Sequence, residues 1–138
     1  MREVKVAKSA GFCFGVKRAV EMVYSEAAKG KKVYTLGPII HNEQVVNDLE
    51  KKGVNVINSV NDIKDGENIT VIIRSHGISE DIYNQLKAKK VNIVDATCPF
   101  VAKIHRIVQE KYKEGNQIVI IGNENHPEVE GINGWCEN

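Results

Sequence analysis

Two cysteines and three histidines carry most of the chemistry this sequence can offer, and each follows a short apolar run. Cys13 lies in Gly11-Phe12-Cys13-Phe14-Gly15 and Cys98 in Ala96-Thr97-Cys98-Pro99. His41, His76 and His126 lie in Ile40-His41-Asn42-Glu43, Arg74-Ser75-His76-Gly77 and His126-Pro127-Glu128. Thiolates invite a metal ion or an iron–sulfur cluster. Gly11 and Gly15 let backbone approach a bulky inorganic group, and Phe12 and Phe14 can give it an apolar shell. Pro99 opens a helix behind Cys98, and the positive end of a helix favours thiolate over thiol. Two cysteines are too few for a cluster, so the chain either borrows a third ligand or lacks one. Histidines beside helix starts suit an oxyanion, with imidazolium donors and helix N-termini both turned to its oxygens.

Each residue alone also has a plainer reading. A single cysteine at a strand end is commonly a small buried hydrophobe, and a histidine in a turn is commonly half-buried and hydrogen-bonded. Glu128 could donate a proton from a partly dry site, or simply sit where a helix N-terminus welcomes negative charge. Their shared placement argues for function. His105 falls near the apolar face of a helix and reads as structural, while Lys17 and Arg18 read as solvated.

The elements that must position these residues follow from hydrophobic period. Apolar runs at 4–7, 33–36, 54–57, 69–73, 91–94 and 118–121 predict six strands. Between them, Val16, Ala19, Val20 and Val23 mark one helix, and Val45, Val46 and Leu49 a second capped by Asn42. Ile82 and Leu86 mark a third capped by Ser79, and Val101, Ile104, Ile107 and Val108 a fourth after Pro99. This is an α/β fold of repeated β-α units, with parallel sheets flanked by helices. In such sheets ligands bind outside the carboxyl ends of the strands. Cys13, His41, His76, Cys98 and His126 are all expected on that edge.

Bulk properties narrow the class. The chain has 138 residues, 42% of them hydrophobic and 27% charged, which suits a soluble domain with a core. Formal net charge is +1, so no field marks a nucleic-acid or membrane binder. No apolar stretch is long enough to cross a bilayer, and the start lacks a signal-type apolar region, so a cytoplasmic location is expected. Three cysteines without a Cys-x-x-Cys pair argue against a disulfide framework and a zinc ribbon. The Gly11 to Lys17 segment is neither a dinucleotide fingerprint nor a phosphate loop.

Five motifs in order, Gly11-Phe12-Cys13-Phe14-Gly15-Val16, His41-Asn42, Ser75-His76-Gly77, Asp95-Ala96-Thr97-Cys98-Pro99 and His126-Pro127-Glu128-Val129-Glu130-Gly131, resemble the 4-hydroxy-3-methylbut-2-enyl diphosphate reductases of the non-mevalonate isoprenoid pathway. The resemblance implies a three-lobed protein around an oxygen-sensitive 4Fe-4S cluster held by three cysteines, with one iron open to the substrate hydroxyl. It implies that Cys13 and Cys98 are cluster ligands and that His41, His76 and His126 bind diphosphate. Glu128 would be the catalytic acid, with His126 helping to move protons. Electrons would come from a ferredoxin- or flavodoxin-type donor, giving isopentenyl and dimethylallyl diphosphates. Residues 1–97 would be the first lobe and 98–138 the opening of the second. The third cysteine ligand, a Ser-x-Asn motif and the third lobe would lie downstream, so these 138 residues alone are expected to be inactive. Two other readings stand beside this one: a stand-alone diphosphate- or anion-binding module without a cluster, and a metal protein using Cys13, Cys98 and Cys136.

Overall fold

In a computed structural model, residues 3–63 and 68–136 are described. The order is α1 (Phe14–Ala27), β1 (Lys32–Leu36), α2 (Glu43–Lys51), β2 (Val54–Ile57), a 3₁₀ turn at Val60–Asp62, and β3 (Ile69–Ile73). Then come α3 (Glu80–Ala88), β4 (Asn92–Asp95), α4 (Pro99–Lys113) and α5 (Pro127–Asn133). All pairings are parallel and the spatial order is β2-β1-β3-β4.

Local signals account for most boundaries. Asn42 caps α2 by accepting from Val45 N–H at 3.1 Å, and Ser79 caps α3 by accepting from Ile82 N–H at 3.3 Å. Pro99 and Pro127 occupy the first positions of α4 and α5, where a missing N–H costs nothing. Residues of β3 are buried from Thr70 to Ile73, because helices cover both faces of a parallel sheet. On one face Ala19 and Val23 of α1 and Leu49 of α2 pack with Val33 and Ile72. On the other, Leu86 of α3 packs with Val71, Ile73 and Ile63. A separate small cluster joins Val108 of α4 to Ile132 and Cys136.

Two expected strands do not form. Residues 4–7 and 118–121 are irregular, with Val4, Val6, Val119 and Ile121 exposed. Their composition favours extended backbone, but a strand exists only when a neighbour takes up its hydrogen bonds. Among the described residues no strand of the sheet pairs with either segment. The sequence order therefore leads to Cys13 and His126 from irregular segments, whereas His41, His76 and Cys98 do follow strands.

Leu86 is fully buried in the second cluster. Leu86→Ala is expected to lower unfolding free energy by about 2–5 kcal/mol in denaturant titrations, because the emptied volume cannot fully collapse.

Candidate functional site

The strand order 2-1-3-4 places a switch point between β1 and β3. The connection leaving β1 goes to one side of the sheet, and the one leaving β3 goes to the other. Ligands of open α/β sheets bind in the crevice this divergence creates. The two strands end level there, with Leu36 opposite Ile73. His41 follows β1 into the crevice and His76 follows β3.

His126 arrives from a third direction as the N-cap of α5. The three rings form one face, with centroids 5.1 Å apart for His41–His76, 5.7 Å for His76–His126 and 6.3 Å for His41–His126. One ring nitrogen from each lies within 4.8 Å of the others. His41 and His126 are exposed and His76 is half-buried, so the face opens outward.

The protonation of these rings decides what they can hold. Backbone N–H of Glu128 donates to His126 Nδ1 at 3.2 Å. In a neutral imidazole that accepts at Nδ1, the proton sits on Nε2, which becomes a donor. Burial first, then the charge of Arg74, pushes His76 down to about 4, with His41 and His126 adding smaller effects. His76 is thus a neutral hydrogen-bonding ring near neutral pH, not the imidazolium expected from sequence. Its Nδ1 is buried and has no protein partner. The spacing would also admit a divalent cation, but a His126 that donates from Nε2 cannot ligate through it. The face suits an oxyanion better than a metal ion.

The cysteines stand at two helix starts. Cys13 is the N-cap of α1 and Cys98 the N-cap of α4, and neither side chain makes a cap hydrogen bond. Cys13 is exposed and Cys98 partly so. The helix α1 reaches Cys98 through Gly15: a Cβ placed there would fall 2.5 Å from Cys98 Sγ. Cys136 is fully buried among Val108 and Ile132, and its thiol donates weakly to the carbonyls of Ile132 and Asn133. The reading in which all three cysteines share one metal therefore loses its third ligand.

Ser75 ties these parts together. Its hydroxyl donates to Ile39 O on the loop that carries His41, at 3.4 Å, and its carbonyl accepts from Cys98 N–H at 2.9 Å. Arg18, expected to be solvated, instead donates from Nη1 to Thr97 O at 3.2 Å, holding the Cys98 loop against α1. Lys17 is exposed beside Glu21, as expected. His105 is structural in a specific way. It stacks on Trp135 with centroids 5.6 Å apart, and Trp135 Nε1 donates to Ile78 O at 2.9 Å. A Cβ on Gly77 would fall 2.5 Å from His105 Cε1, and one on Gly131 would fall 3.6 Å from His105 Nε2. The ring therefore fits between the residue after His76 and the body of α5, and fixes one relative to the other. Sequence periodicity cannot show this, although a glycine next to His76 was a signal of close approach.

The sequence model of the family described as LytB protein matches residues 4–138. The chain belongs to this family of α/β proteins. It is 57% identical over 137 residues to a 4-hydroxy-3-methylbut-2-enyl diphosphate reductase of Caldanaerobacter subterraneus subsp. tengcongensis, covering 98% of this chain and 48% of that protein. It is 54% identical over 136 residues to the reductase of the same name from Clostridioides difficile, again covering 98% and 48%. The solved E-1-hydroxy-2-methyl-but-2-enyl-4-diphosphate reductase of Plasmodium falciparum superposes with a TM-score of 0.88 at 40% identity, over 94% of this chain and 41% of that one. The chain thus spans about half the length of these curated relatives.

Two measurements follow. Nuclear magnetic resonance titration should find His76 neutral down to about pH 4. Because the folded value is depressed from 6.5, its linked stability is full above 6.5 and is lost as pH falls from there toward about 4. Gly15→Val should drive α1 away from Cys98, and thiol alkylation of Cys98 should quicken measurably while Cys136 stays protected.

Proposed function

We propose that this chain is the amino-terminal part of a reductase that removes the hydroxyl of 4-hydroxy-3-methylbut-2-enyl diphosphate, yielding isopentenyl and dimethylallyl diphosphates. The observation that carries the reading is the histidine face at the switch point, three imidazoles within one anion's reach at the start of the helix that carries Glu128. The relatives' names supply the substrate.

His126 would donate Nε2–H to a diphosphate oxygen, its tautomer held by the cap bond from Glu128 N–H. His76 and His41 would complete the cradle from the ends of β3 and β1. Fixing the diphosphate fixes the allylic end of a short substrate. Glu128, half-buried two residues beyond His126, would give a proton as the hydroxyl departs as water. Two electrons and two protons convert the alcohol to the alkene and water.

Two residues of this chain, Cys13 and Cys98, would hold a 4Fe-4S cluster in this reading. Cys13 and Cys98 each stand at the start of a helix, their side chains make no cap bond, and the lack of a side chain at Gly15 lets α1 approach Cys98 Sγ. When bound, the cluster would supply the electrons and an open iron to polarise the hydroxyl. Its third cysteine, and the ferredoxin- or flavodoxin-type donor that reduces it, lie outside this chain in our reading. Residues 1–97 then form the first lobe and 98–138 open the second, in keeping with a sheet that closes at β4 and a separate cluster around Val108.

After anaerobic iron and sulfide reconstitution, the full-length protein should turn over substrate. Glu128→Gln should reduce kcat about a hundredfold or more while leaving diphosphate affinity nearly unchanged. Cys98→Ser should lose the cluster's visible absorbance. Robust turnover by Glu128→Gln, or by residues 1–138 alone, would overturn this assignment.

A further inference from the structure

We infer that Arg74 supplies the positive charge of the diphosphate face, from the junction of the three segments that carry the histidines. This rests on the diphosphate reading above and adds a residue that the reading does not use.

The need is electrostatic. His76 is a neutral donor, and α5 carries Glu128 and Glu130 but no basic residue. Imidazole and backbone dipoles orient a diphosphate, but its two or more negative charges call for a cation close by.

Arg74 is built into the place that meets this need. It lies two residues before His76, and its carbonyl accepts from Gly77 N–H at 3.0 Å, closing the turn that presents His76. Its Nη1 packs over Gly37 on the loop leading to His41. A Cβ there would fall 2.6 Å away, and Gly37 has φ +72°. With Glu130, one turn along α5 from His126, it also lines a cavity of about 360 Å³ that adjoins the histidine segments through Gly37 and Glu130 but is lined by none of the three rings. The guanidinium thus touches or faces all three histidine-bearing segments. Its Nε is buried without a partner, so hydrogen-bonding capacity remains unused. Burial opposes its charge and Glu130 favours it, but a guanidinium stays protonated. The same charge is one reason His76 resists protonation. One group would therefore do two things: keep His76 a neutral donor and attract the anion that His76 binds.

Calorimetry with inorganic diphosphate on the full-length protein tests this. Wild-type Kd should rise steeply with salt, because the attraction is partly exposed and is screened. Arg74→Gln should weaken binding about tenfold and flatten that salt dependence, whereas Arg74→Lys should stay within about threefold of wild type. Equal Kd in wild type and Arg74→Gln overturns the inference. So does an equal loss in the Lys and Gln variants, which would make Arg74 a packing residue over Gly37. A wild-type Kd indifferent to salt overturns it without any variant. No diphosphate binding by the wild type would overturn the reading of the face itself, a distinguishable result.

Discussion

The pairing of β1 with β3 is the constraint on which the site depends. Leu36 and Ile73 end the two strands level, and the chain then leaves them in opposite directions. Backbone diverging from a shared sheet edge cannot fill the space between, so a crevice is left at the one place where two loops face each other. His41 and His76 occupy those loops. Had β2 been inserted between β1 and β3, the same residues would be separated by a strand's width or more, about 5 Å further apart.

Around that crevice the structure spends its buried polar contacts on joining loops. Ser75 links the His41 loop to the Cys98 loop through two hydrogen bonds, and Arg18 ties Thr97 to α1. On the far side, His105 and Trp135 lock α5 against the turn after His76, using the closeness that Gly77 and Gly131 permit. Binding groups that arrive from separate elements need such ties, since a displacement of about 1 Å can remove most of their value. The chemistry of the face is set in the same way. A backbone N–H chooses the tautomer of His126, and burial with a neighbouring charge chooses the protonation state of His76.

Helix caps, the four strands of the sheet and the common edge for His41, His76 and Cys98 were legible in the sequence. Asn42, Ser79, Pro99 and Pro127 act within a turn of their own position, and Val71 to Ile73 form an apolar run that only a doubly covered strand accommodates. Residues 4–7 and 118–121 misled for the converse reason. Their β propensity is local, but pairing requires a partner strand, and no described strand of the sheet takes that place. The packing of Arg18 on the Cys98 loop and of Arg74 over Gly37 was not visible, because a basic residue in a sequence carries no mark of whether its guanidinium meets water or protein.

The sequence by itself determined the family, the α/β class and which side chains could do chemistry. Residue types, caps and hydrophobic periods act over short range, and five ordered motifs leave little freedom. Tertiary structure alone decided that three histidines more than thirty residues apart form one face, that burial and a neighbouring charge keep His76 neutral, and that Arg74 lies where their segments meet. Strand order, burial and the field of neighbouring charges are properties of the folded chain, and no local pattern encodes them.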